Sequence, residues 1–121
     1  MGARETPIMQ AIYSHVGAQP DYRLWRIQPL VAEDPRTHRV VRAAPPGIAD
    51  LVGIRRTTCL HCGSPGPGQL VALEVKAPGK HPEPIQATWG AAVTMMGGLY
   101  VVPHSVAEAC ELLGLLPPAG C

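Results

Sequence analysis

Phenylalanine is absent from this chain of 121 residues, and two tryptophans and three tyrosines are its whole aromatic stock. A core must therefore be assembled from Val, Leu, Ile, Ala and Met, with Trp25 and Trp89 the simplest large core fillers. Charge imbalance is slight: the formal net charge is +1, so the overall field does not announce a polyanionic partner. No apolar run approaches the roughly 18 to 20 residues needed to cross a bilayer. The opening M-G-A-R-E-T-P has no apolar stretch of the kind that directs export. Of four cysteines only Cys59 and Cys62 are closely spaced, which argues against a secreted disulfide framework. These absences together lead us to expect a cytoplasmic protein. The length suits one domain, 1–121, with a modest core.

What is plentiful is Pro (14) and Gly (13), gathered between periodic segments, so long stiff loops are expected rather than global disorder. Thr6-Pro7 resembles a helix N-cap with proline at the first helical position, and Ile8, Ile12 and Val16 form one stripe up to Gly17, giving a helix over 6–16. Residues 24–30 alternate like a strand that Pro29 keeps short or at an edge, 32–38 reads as loop, and 39–42 as a short strand. Residues 48–54 form the next strand, where Gly53 would permit close approach of another backbone or a ligand. Residues 57–69 make a long hairpin loop, and 70–77 the central strand. A helix over 84–96, with Ile85, Trp89, Ala92 and Met96 on one face, is ended by Gly97-Gly98. A short strand at 99–102 and a helix opened by the capping box Ser105–Glu108 and stopped by Gly114 complete the chain. The expectation is an α/β fold, α-β-β-β-α-β-α, with a small mixed sheet flanked by helices.

The chemistry concentrates on L-V-A-L-E-V-K, Leu70–Lys76. In a strand, Val71, Leu73 and Val75 share one face while Ala72, Glu74 and Lys76 share the other. Two charges on so apolar a strand are costly unless something there needs them. Asp50 lies in a similar run, I-A-D-L-V-G-I. If the two runs pair, Asp50, Glu74 and the Val75 carbonyl become oxygen ligands for a hard divalent cation. Lys76 would orient a water or neutralise developing charge, Gln86 would hold water or a phosphate oxygen, and Glu5 would add a water-mediated contact. The competing reading is an ordinary salt bridge between Glu74 and Lys76 at a solvent-facing edge. Between Pro35 and Leu60, Arg36, Arg39, Arg42, Arg55 and Arg56 face a single acid, Asp50, a local bias suited to phosphates. A merely solvated arginine-rich edge reads the same way.

The ordered set G-I-A-D-L-V-G-I (Gly47–Ile54), L-E-V-K (Leu73–Lys76), Gln86 and Trp89, then G-G-L-Y-V-V-P-H-S (Gly97–Ser105) resembles the VRR-NUC family of the PD-(D/E)xK nuclease superfamily. Glu5 matches the family's first-helix acid, and Trp25-Arg26 precedes the central strands. The resemblance spans about Glu5 to Leu113 without added domains, as in the small stand-alone members of phages and bacteria. It implies a PD-(D/E)xK, restriction-endonuclease-like core with Asp50, Glu74, Lys76 and Gln86 catalytic. It implies Mg2+ or Mn2+ on Asp50, Glu74, the Val75 carbonyl and, through water, Glu5. DNA would be held by Arg26, Arg39, Arg42, Arg55, Arg56 and Lys80. The implied activity is a Holliday-junction resolvase working as a homodimer on branched DNA, since two symmetric cuts need two sites. A flap- or nick-specific or nonspecific endonuclease, and a non-catalytic branched-DNA-binding module, are the alternatives. The mildly positive mean hydropathy, +0.09, hints at a partner surface that includes Leu112–Leu116. The 57–69 loop has no evident family role, and Pro7 so close to Glu5 leaves that acid's reach to the cation in question.

Cys59-Leu-His-Cys62 has the spacing of half a zinc knuckle, but no second close pair follows. Free thiols or an occasional disulfide are the simpler reading, with zinc only where dimerisation brings two such loops together. His15, His38, His81 and His104 are scattered; of these only His81 is placed near the site.

Overall fold

A computed structural model describes residues 5–27, 31–42 and 44–118. The element order is α1 (Glu5–Gly17), β1 (Tyr22–Arg26), β2 (Val31–Glu33), β3 (Val40–Arg42), β4 (Leu51–Arg55), β5 (Gln69–Leu73), α2 (Pro84–Met95), β6 (Leu99–Val101) and α3 (Val106–Leu113). Five strands thus precede α2, where the sequence suggested three or four. Part of the span 32–38, expected to be loop, supplies β2, which pairs with β3 as a separate two-stranded hairpin. Its turn is held by His38 N–H donating to the Asp34 carbonyl at 2.8 Å and Asp34 N–H to the Arg39 carbonyl at 2.8 Å. Among the described side chains of these strands Ala32, Glu33, Val40 and Val41 are all exposed, so the buried-and-exposed alternation that betrays a strand is missing there.

The main sheet runs β1-β4-β5-β6, antiparallel except for β5 and β6, which are parallel and joined through α2. β5 is the central strand, and residues 71–75 are buried on both faces. On one face Val71, Leu73 and Val75 pack with Leu51, Leu24 and Tyr22 against Met9, Ile12 and Val16 of α1 and Ala109 and Leu113 of α3. Apart from Tyr22 the buried members of that cluster are aliphatic, in keeping with the lack of phenylalanine. The Gly53 close approach is real: a Cβ there would fall on the Arg23 carbonyl of β1. Helix α1 begins at Glu5, so Thr6 lies inside the first turn rather than capping it; helix ends commonly differ by a residue or two.

α2 covers the opposite sheet face beside β6. The stripe Ile85, Trp89, Ala92 and Met96 is not its inner face: Ile85 is 49% exposed and Met96 87%. Gly90 is buried instead, and the Tyr100 ring lies where its Cβ would be. Gln86 and Trp89 flank that contact, with the Trp89 and Tyr100 rings edge to face at 6.1 Å. One aromatic ring from β6 fills the space that a helix side chain would otherwise take, which reverses the apolar-stripe reading. Trp25 is likewise not core. It is 52% exposed, with Ile54 and Leu70, on the part of that same sheet face that α2 does not reach. Leu113 closes the core, whereas Leu112 and Leu116 are exposed. Among the described residues no helix is long and apolar enough to cross a membrane.

Candidate active site

β4 and β5 pair with Leu51 opposite Leu73, and one step beyond this register Asp50 comes opposite Glu74. Both acids leave the strands on the face that α2 covers. Asp50 Oδ2 accepts the Val75 N–H at 2.9 Å, and the Asp50 carbonyl accepts the Ile27 N–H at 2.8 Å. The expected strand 48–54 begins only at Leu51, so Asp50 sits at its entrance, where a side chain can bond the neighbouring backbone. Gly47, at φ 84°, makes this placement possible: a Cβ there would meet the Ile85 carbonyl, so the loop before Asp50 lies directly on the first turn of α2.

Glu74 is 2% exposed, the one buried charged residue among those described. Its Oε1 accepts from Gln86 Nε2 at 2.9 Å and stands 3.7 Å from Lys76 Nζ. Gln86 is itself fixed, its Oε1 accepting the Glu83 N–H at 2.8 Å at the start of α2. Beyond the end of β5 the backbone stays tied to β6, with Glu74 N–H donating to the Val101 carbonyl at 3.0 Å and Lys76 N–H to the Pro103 carbonyl at 3.1 Å. The salt bridge is therefore not a solvent-facing edge pair. A carboxylate so removed from water is costly, and a bridge of this kind is weak evidence for stability.

Tyr100, opposite Ala72 on the same sheet face, was not singled out in the sequence. Burial first, then the negative charges of Glu74 and Asp50, push its phenol up to about 12. The hydroxyl donates to the Gln86 carbonyl at 3.4 Å. Both acids thus act on one neutral phenol, which places them in a single electrostatic neighbourhood. The signal available was position alone: a tyrosine in a short apolar strand beside L-E-V-K.

The donor set fits a hard cation. Mg2+ is commonly held by one or two carboxylates plus water and phosphate oxygens, and Asp50 and Glu74 provide two. Among the described residues no group of three or more His, Cys, Asp or Glu side chains could hold a metal. Glu5 opens α1, but its side chain lies outside the described residues, as does that of Arg42 in β3.

The arginines do not form one patch. Arg36 and Arg39 are on the β2–β3 hairpin, while Arg55 and Arg56 stand at the far end of β4, five residues from Asp50 and about 17 Å along a strand. There Arg55 donates to Gln69 Oε1 at 2.7 Å and Arg56 pairs with Asp21 at 3.7 Å. They border a notch of about 340 Å3 together with Arg23, Gly66 and Gly68. Arg26 pairs with Leu51, which puts it on the sheet face away from Glu74. Lys80 is exposed in the loop between Lys76 and α2, and its carbonyl is 2.7 Å from His104 Nε2. His81 meets the His104 ring edge at 6.4 Å.

No family model matches the sequence, and no curated protein matches it. Among solved structures, one described as a VRR_NUC domain protein aligns over 94% of this chain and 88% of its own, with a TM-score of 0.57 and 14% identity. The two chains share a fold. At that identity the likeness speaks for the fold alone, a VRR_NUC-like arrangement of three helices and a mixed four-stranded sheet.

Proposed function

We propose that this chain is a divalent-metal-dependent DNA endonuclease of the PD-(D/E)xK type, with Asp50, Glu74, Lys76 and Gln86 as its working residues. The observation that carries the reading is the placement of Asp50 and Glu74 at the same end of the β4–β5 ladder, Asp50 on the Val75 N–H and Lys76 Nζ and Gln86 Nε2 both on Glu74 Oε1. A resemblance spread over the ordered motifs and a fold shared with a VRR_NUC domain protein support it. Asp50, Glu74 and the Val75 carbonyl would hold Mg2+ or Mn2+, with Glu5 contributing through water. When bound, the ion supplies Lewis acidity toward a phosphodiester and makes water more acidic.

Lys76 sits beside Glu74, where its ammonium can orient a water and offset negative charge at the phosphorus. Gln86, pinned by Glu83, keeps the Glu74 carboxylate in one orientation by hydrogen bonding. Burial beneath α2 lowers the local dielectric, so these charges act more strongly than in water.

The substrate we propose is branched DNA, a four-way junction cut by a homodimer whose two sites open opposed strands. Arg26, Arg39, Arg42, Arg55, Arg56 and Lys80 are the cations proposed to hold its backbone.

A synthetic junction incubated with Mg2+, with and without chelator, tests the activity. Asp50→Asn and Lys76→Ala are each expected to lower cleavage by about 10²- to 10³-fold while junction binding persists. Unchanged cutting in either variant refutes its role. Mapping cuts on junction, flap and nicked substrates separates a resolvase from its alternatives, and binding without any metal-dependent cutting would point to a non-catalytic module.

A further inference from the structure

The 57–69 hairpin takes no part in the site above, yet it is built with care. Thr58 and Pro65 form a bridge, Gly66 N–H donates to the Thr57 carbonyl at 2.7 Å, and Thr57 Oγ1 donates to the Pro67 carbonyl at 2.5 Å. At its tip Cys59 N–H donates to the Ser64 carbonyl at 2.8 Å and Gly63 N–H to the Cys59 carbonyl at 2.9 Å. Gly63, at φ 72°, turns the chain so that Cys59 and Cys62 lie on one tight bend. Both thiols are exposed, and Cys62 Sγ lies 3.0 Å from Ser64 Oγ.

We propose that this bend is half of a structural zinc site, completed by the same bend of a second copy of the chain. Two thiolates separated by two residues on a glycine-closed turn form a soft pair, suited to Zn2+, which closes structural sites with four ligands. Among the described residues no third His, Cys, Asp or Glu joins them, and Cys110 is buried in α3. A second copy supplies an identical pair, and a two-fold axis through the metal makes a tetrahedral four-sulfur set. The surroundings suit it. Residues 57–69 contain no acid, Arg55, whose side-chain partner Gln69 is neutral, stands near the foot of the hairpin to offset negative charge, and Leu60, fully exposed between the cysteines, would be covered across the axis. This inference does not depend on the nuclease reading, and its test measures no cleavage.

The full chain, reduced and stripped by chelator, is titrated with Zn2+ alone while metal content and mass are followed by native mass spectrometry. The expected result is about one zinc per two chains, a dimer that dissociates on chelation, and a Co2+-substituted form with tetrahedral four-thiolate absorption. Cys59→Ser and Cys62→Ser, both at exposed positions, should each lose zinc and zinc-dependent dimerisation while keeping the wild-type circular dichroism spectrum. Cys121→Ser should retain both. One zinc per monomer, a Co2+ spectrum with fewer sulfurs, zinc uptake that survives both serine variants, or reduced protein that takes up no zinc would each overturn the proposal.

Discussion

At the scale of single residues the site is a matter of charge held out of water. Glu74 takes Gln86 and Lys76 on one oxygen, so a second carboxyl placed beside it should perturb both acids. Gln86→Glu replaces the amide donor at 2.9 Å with a like charge. The acidic limb of the cleavage–pH profile is then expected to move up by about one unit or more, because like charges raise carboxyl pKa values. An unmoved limb would mean that Gln86 does not face the titrating acid. Tyr100 offers a readout independent of catalysis. Its phenol is held neutral up to about 12 by burial and by Glu74 and Asp50, so ultraviolet titration of the folded protein should show a late-ionising tyrosine that Tyr100→Phe removes. Because this folded value lies above the ordinary 10.0, the associated stability is present below pH 10 and drains away between 10 and about 12.

At the scale of elements, the connections decide stability. A Cβ on Gly53 would strike the Arg23 backbone in the middle of the β1–β4 ladder, where no side chain can give way. Gly53→Ala should therefore cost about 2 kcal/mol or more in a urea melt. His104 links the loop after Lys76 to α3: Nδ1 lies 2.8 Å from Glu108 Oε1 and Nε2 2.7 Å from the Lys80 carbonyl. Both partners accept, so the protonated ring satisfies both, and the Glu108 and Lys80 bonds raise its pKa above 6.5. Its contribution is complete below 6.5 and fades as pH rises through the raised value, and His104→Ala should flatten that slope in urea midpoints measured across it. These elements also show what the sequence could reveal. α1 and β5 were legible because each has an aliphatic face of the right period, β6 as a short apolar run and α3 from its opening Ser105–Glu108 and closing Gly114, while Asp50, Glu74, Lys76 and Gln86 stood out as an ordered pattern that the fold brings together. The inner face of α2 was not, because Gly90 and Tyr100 make it by shape rather than by a run of apolar residues. β2 escaped because Ala32 and Glu33, its described side chains, are both exposed and show no alternation. The Ser105–Glu108 box formed only in part: Ser105 Oγ caps Glu108 N–H at 3.0 Å, while the Glu108 carboxylate reaches back to His104.

At the scale of the molecule, one sheet serves two ends. The acids lie where β4 enters and β5 leaves, and the hairpin with its two thiols extends from the opposite ends of the same strands. If paired chains are required for junction cutting, the rate should fall more steeply than linearly as protein is diluted through the dimer dissociation constant, and a strictly linear fall would argue for independent monomers. The last quarter of the chain has a separate bearing on the first three. The Glu74 and Lys76 backbone N–H groups are moored to the carbonyls of Val101 and Pro103, which lie beyond α2 in the sequence. The strand end that carries this acid and amine is thus held in place only once β6 has docked beside β5, so the pair is assembled by a segment distant in sequence.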